Sequence, residues 1–221
     1  MAAQELFTTP LFNDANLQDY YRMEGNSNDA KGIRNGSDTS MSYSSGNGKF
    51  GQGGGFNGSS SKIDLGSAPF TGTGDFTVTS WIKTSVNSAT EQEIFILGNG
   101  SNNQTCQWGV LNGTVIFTVL GVAPITGSFN VSDNVFHNVI IRFRSGNFQY
   151  FVDGTNDSTE NPVTLNITAG ANHHIGSNNG SGNFFNGSID DIAFFNRALS
   201  SSEITQLFNG FSVGAFLFNL T

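Results

Sequence analysis

Few side chains in this sequence could do chemistry, and their spacing is poor for catalysis. His173-His174 offers two imidazoles to a transition metal. No third ligand stands at useful spacing, and adjacent residues of a strand face opposite ways. Asp190-Asp191 offers two carboxyls, which on a regular strand diverge. Glycoside cleavage needs two carboxyls flanking one bond at a set separation. No G-x-S-x-G nucleophile elbow occurs. The single cysteine, Cys106, excludes an intramolecular disulfide and a zinc site built on several thiolates.

The balance of residue types narrows the partners. Charged residues make up 12% of the 221 residues, and net charge is −8 with nine Lys plus Arg. That leaves no basic patch for a phosphate backbone or an anionic membrane surface. Neutral polar ligands such as sugars are not disfavoured, because hydrogen bonds and aromatic faces hold them. Aromatics reach 12%, with 21 Phe, too many for a disordered chain. No run approaches the ~18 apolar residues of a membrane span. Residues 1–15 lack the basic and apolar regions of a secretory signal.

The elements that must position any site read as strands and turns. Apolar-rich segments such as DFTVTSWIKT (Asp75–Thr84), EIFILG (Glu93–Gly98), TCQWGVL (Thr105–Leu111) and FHNVIIRFR (Phe136–Arg144) alternate with Gly, Asn, Ser and Asp. VTLNIT, ANHHIGS and GSIDDIAFFN (Gly187–Asn196) complete the set. Asn112-Gly113 is a two-residue hairpin turn, since both positions tolerate positive φ. One helix is predicted: Ser200-Ser-Ser-Glu203 forms a capping box, Ile204, Leu207 and Phe208 share a face, and Gly210 is a natural stop. The fold class is all-β, an antiparallel two-sheet β-sandwich with one short C-terminal helix. A single domain is expected over residues 16–210, with an N-terminal arm (1–15) and an apolar C-terminal tail (211–221) outside it.

Several motifs occur in a telling order: GKFGQGGGFNGSSSKIDLG, DFTVTSWIKT, FHNVIIRF, YFVDG, HIGS, then FNGSIDDIAFFNRALSSSEITQLFN. From about Leu17 to Gly210 this resembles the concanavalin A-like lectin/glucanase superfamily, in particular laminin-G-like jelly-roll domains of bacteria and their phages. One departure is Phe136, where family members commonly carry Trp; an aromatic core anchor is kept.

The resemblance implies two face-to-face sheets, carbohydrate or glycoconjugate binding, and a structural Ca2+. For the ion, Glu24, Asn26 and Asp29 supply oxygens on a turn, and Asp190 lies on the last strand, a neighbour of the first in such jelly rolls. Turn-capping is the alternative role for these residues. For a sugar, the candidates are Trp108, Arg142, Tyr150 and the His173–Asn183 loop, with His173 and Asn178. Trp81 reads as core. Glucanases of the superfamily carry two or three acids on one strand. Glu91-Gln-Glu93 is the near match, without the Asp-containing pattern that should follow.

The expected function is therefore a non-catalytic carbohydrate-binding or adhesion module on an extracellular or virion surface. The alternative is a structural virion protein, a capsid decoration or fibre, whose arms LFTTPLF and FSVGAFLFNL meet identical subunits or other virion proteins. A glucanase remnant ranks third.

Overall fold

The computed structural model describes residues 4–158, 160–180 and 182–209. The strands are β1 (Leu17–Tyr21), β2 (Ser37–Thr39), β3 (Ser42–Ser44), β4 (Gly53–Asn57), β5 (Lys62–Asp64), β6 (Phe76–Lys83), β7 (Gln92–Gly98) and β8 (Thr105–Leu111). They continue as β9 (Thr114–Val119), β10 (Ile125–Asn130), β11 (His137–Arg144), β12 (Asn147–Val152), β13 (Thr155–Asn156), β14 (Asn161–Pro162), β15 (Asn172–Ile175) and β16 (Asn186–Phe195). A helix, α1 (Ser201–Asn209), follows. The first sheet has the order β13-β12-β11-β6-β16-β4-β3, with β1 also on β16 and β14 on β12. The second has the order β10-β9-β8-β7-β15-β5-β2. Their pairings are antiparallel, so the all-β sandwich expected from the sequence is the observed fold.

Local chemistry explains the turns. Asn112 (φ +50°) and Gly113 (φ +79°) close the β8–β9 hairpin in the left-handed region. Ser145 (φ +49°) and Gly146 (φ +79°) do the same for β11–β12. The space between the sheets is filled largely by aromatic rings. Phe95 meets Trp108 edge-on at 5.6 Å, and Phe117 lies 4.0 Å from Phe148. Val139, Ile141 and Phe143 all point into this layer, as the alternation on β11 predicts.

The other face of the first sheet is partly covered as well. Leu6, Leu11, Tyr20, Ile140, Phe151, Phe195, Ile204 and Leu207 belong to a second apolar layer there. Two 3-10 turns, Leu6–Thr8 and Pro10–Asn13, and helix α1 form its lid. The capping box is present: the Ser200 N–H donates to Glu203 Oε2 at 2.7 Å, and the Glu203 N–H donates to Ser200 Oγ at 3.2 Å. Arg197 ties the lid together by donating to Asp14 Oδ2 and Glu203 Oε1.

Residues 4–15 are therefore not an arm outside the main unit. Leu6 and Leu11 fold back because the apolar outward residues of β11 and β16 need covering. The tail at 211–221 lies outside the described residues. β2, β3, β10, β13 and β14 form where no strand was expected, and VTLNIT contributes only an isolated bridge, Ile167 to Gly72.

One irregularity bears on the acids. The β16–β6 register shifts between Asp190 and Ala193, and Asp191 adopts φ +51°. Ile189, Ile192 and Phe194 point into the central core, whereas Ala193 and Phe195 point to the second layer. The bulge absorbs one residue. It turns Asp191 outward beside Asp190, where Asp191 Oδ1 accepts from the Tyr20 hydroxyl at 2.5 Å. Regular alternation would have made the two carboxyls diverge; the bulge keeps them on one side.

Candidate functional site

The uncovered end of the same outer face carries a polar groove of about 350 Å³. Its floor is a row across four strands: Lys83 of β6 pairs with Ser188 of β16, Ser188 with Gly55 of β4, and Gly55 with Ser42 of β3. The glycine keeps that floor open. A Cβ on Gly55 would stand 2.4 Å from Asn47 Nδ2 and 2.5 Å from Ser42 Oγ. The Gly53-Gly54-Gly55 run thus leaves room for the amide of Asn47 to lie over the strand.

The walls are amides and hydroxyls. Asn47 accepts from the Ser188 hydroxyl at 3.2 Å. Asn186 is fixed from two sides: its N–H donates to Gln92 Oε1 at 3.0 Å and its C=O accepts from the Thr84 hydroxyl at 2.8 Å. Asn134 is exposed at the rim. Next to it in the chain, Val135 is 57% exposed, and the ring of Phe136 lies 4.8 Å below the Lys83 ammonium. Lys83 also donates to the Gly46 carbonyl at 2.8 Å. Among the described residues that line the groove there is no carboxylate. Amides and hydroxyls beside an apolar lip can hydrogen-bond a neutral polyol and pack against its C–H face.

Beside the groove, acids fix the chain that follows Asn47. The N–H groups of Lys49 and Phe50 donate to Asp190 Oδ2 at 2.8 and 3.0 Å. The Gln52 N–H donates to Glu24 at 3.1 Å. Two carboxylates thus grip the 49–52 segment that follows Asn47. Burial pushes the Asp190 carboxyl up to about 7, against the backbone N–H groups that favour its ionised form. Burial and the neighbouring Asp190 push Asp191 well above the carboxylate range.

The five residues expected to bind a sugar are not brought together. Trp108 and Tyr150 lie between the sheets with 0% and 1% of their surface exposed, so neither presents a ring to a ligand. The Tyr150 hydroxyl donates to the Ile125 carbonyl at 2.8 Å. Arg142 is buried under α1, donates to the Leu199 carbonyl at 2.9 Å and to Gln149, and stacks on Phe151. His173 is buried, accepts from the Gly98 N–H at 3.5 Å, and is held below the usual imidazole range by burial. Asn178 closes the hairpin at 178–182 through backbone bonds with Gly182.

Glu24, Asn26 and Asp29 do line one loop pocket. Asp29, however, spends both oxygens on backbone N–H groups: Tyr20 and Lys31 on Oδ1, Ile33 and Arg34 on Oδ2. Asn26 accepts from the Asn28 N–H. Asp190 lies beyond the 49–52 segment. Among the described residues no three His, Cys, Asp or Glu side chains converge. These four donors do not fit the calcium cage that the resemblance implied.

Residues 57–205, more than half of the chain, match the laminin G profile described as the concanavalin A-like lectin/glucanases superfamily. The chain belongs to that family. Solved structures of other proteins match its structure at low identity. Domain 4 of AbnA, a GH43 extracellular arabinanase from Geobacillus stearothermophilus, solved with arabinotriose, superposes with TM-score 0.71 at 18% identity. That match covers 87% of this chain and 98% of the domain. The binding domain of Paraclostridial Mosquitocidal Protein 1 gives 0.72 at 18%, covering 88% of this chain and 52% of that one. The sialidase of Trypanosoma rangeli gives 0.66 at 15%, covering 94% and 35%. At such identities the likeness is one of fold. The chain spans nearly all of the arabinanase domain and about half of the toxin domain. No curated protein matches the sequence.

Proposed function

We propose that this protein is a non-catalytic carbohydrate-binding or adhesion module, working on an extracellular or virion surface, with its ligand in the groove floored by Ser42, Gly55, Lys83 and Ser188. One observation carries this reading: among the described residues, amides and hydroxyls line that groove and no carboxylate does. A glycosidase would need two carboxyls across the bond. Asp190 and Asp191 are buried and occupied with the 49–52 segment and Tyr20. Glu93 has no exposed surface, and burial raises its carboxyl well above the usual range. The arabinanase domain solved with arabinotriose supports a sugar as ligand class, and the binding domain of the mosquitocidal protein supports binding as the role.

A glycan array probed with the wild type and with Gly55→Leu tests the proposal. The new side chain fills the groove floor, where the nearest atoms are side-chain ends. Binding should be kept by the wild type and lost by the variant, with the circular dichroism spectrum unchanged. Equal binding by both would place the ligand elsewhere, and no bound glycan at all would remove the carbohydrate reading.

A further inference from the structure

The groove does not stop at Asn186. A second depression, of about 290 Å³, adjoins it on the rim where the loops after β4, β6 and β15 meet. Asn186 lines both, and Ser85 and Asn57 on one side are followed in the chain by Val86 and Gly58 on the other. Each depression alone sits at the small end of the ~300–1,000 Å³ typical of ligand sites, and together they fall well inside it.

The chemistry changes across the divide. The first depression carries a cation, Lys83; the second is lined by Glu91, its only charged side chain among the described residues, with Phe184 as an aromatic wall. Glu91 is partly exposed there: its Oε1 is turned inward and buried, which leaves Oε2 as the oxygen a ligand can reach. The residue between the two is held rigidly, because Gln92, the neighbour of Glu91, both accepts from the Asn186 N–H and donates to the Val86 carbonyl at 3.2 Å. A carboxylate is acceptor-only, so a ligand hydroxyl is the complementary group. An amide side chain on a fixed backbone beside it can bridge two rings of one chain.

We infer that the site is bipartite, that its occupant is a neutral oligosaccharide spanning Asn186, and that Glu91 receives a hydroxyl of the ring in the second depression. This rests on the carbohydrate reading above and deepens it. Burial alone pushes the Glu91 carboxyl up to about 6, so it is mainly ionised at pH 7.5. Glu93, deeper on the same stretch, is its acidic neighbour.

Calorimetric titration at pH 7.5 with arabinotriose, maltotriose and triacetylchitotriose, each beside its parent monosaccharide, tests it. At least one trisaccharide should bind about tenfold or more tighter than its monosaccharide, the size of one hydrogen bond to a charged group. Glu91→Gln should remove most of that advantage and leave monosaccharide binding unchanged, with an unaltered Tm reporting the fold. Equal affinities for trisaccharide and monosaccharide in the wild type would confine the ligand to the first depression, overturning this inference and sparing the groove. A trisaccharide advantage that survives Glu91→Gln would overturn the role of Glu91. If none of the six sugars binds, the carbohydrate reading falls with it.

Discussion

Strand β16 runs under two unlike surfaces. Toward its C-terminal end Ala193 and Phe195 lie beneath residues 4–15 and α1, in a dry layer with Ile140, Phe151 and Leu207. Toward its N-terminal end Asn186 and Ser188 border an open groove of amides and hydroxyls. The 49–52 segment, held by Asp190 and Glu24, stands between the halves. The difference shows what decides whether an outward sheet face is covered or offered. Large apolar side chains call in a lid, because covering them releases water at ~25 cal/mol per Å². Glycine and short polar residues call in nothing and leave hydrogen-bonding groups for a ligand.

The largest test of that contrast removes an anchor from the covered half. Phe195 has no exposed surface. Phe195→Ala should cost about 3–5 kcal/mol, read from the midpoint of urea unfolding. The protein that remains folded should bind glycan as before. Loss of binding without loss of stability would mean the halves are not separable.

The buried pair offers the next test, through pH. Asp190 and Asp191 both titrate above the ordinary aspartate value in the folded state. The unfolded chain then gives up protons first as pH rises, so the native state binds more protons and stability falls. Their contribution is fully present below about pH 4 and is lost as pH rises, through about 7 for Asp190. While one group titrates, the loss runs at about 1.4 kcal/mol per pH unit. Glu5, paired with Arg22, adds its negative charge to the surroundings of Asp191. Asp191→Asn keeps an acceptor for the Tyr20 hydroxyl. It should raise Tm at pH 8 by several degrees and change it little at pH 4.5. A variant less stable at both pH values would show that the carboxylate is needed ionised.

The bare half predicts the reverse pattern. Asn134 is exposed and lines the groove. Asn134→Ala should leave stability within about 0.5 kcal/mol. It should weaken glycan binding several-fold, in keeping with a net ~0.5–1.5 kcal/mol for one hydrogen bond. An unchanged affinity would move the contact away from this wall.

Much of the fold was legible in the sequence and little of the groove. Thr105–Leu111 is read with its observed bounds, because alternation and the Asn112-Gly113 turn are local signals. The helix is read from its capping box for the same reason. The groove floor joins Ser42, Gly55, Lys83 and Ser188, far apart in the chain and united only by sheet register. The outward positions of a glycine-rich strand next to Ser and Lys were the available signal. Trp108 and Arg142 misled because residue type suggests binding only when the side chain is exposed, and tertiary packing decides that. The bulge at Asp191 hid in a non-glycine residue with positive φ, which no local rule announces.

The smallest expected effect separates turn chemistry from metal chemistry. Asp29 is built into its loop by four backbone N–H donors, and such an Asx arrangement needs no ion. A bound cation would stabilise the fold by mass action, so a chelator would lower Tm in proportion to the occupancy it removes. With Asp29 already saturated, a calcium chelator should leave Tm and glycan binding unchanged. Asp29→Ala should lower Tm whether or not calcium is added, because the N–H groups of Tyr20, Lys31, Ile33 and Arg34 lose their acceptor. A drop in Tm on chelation, restored by calcium, would instead join Glu24, Asn26 and Asp190 to a metal and make the 49–52 segment an ion-dependent element.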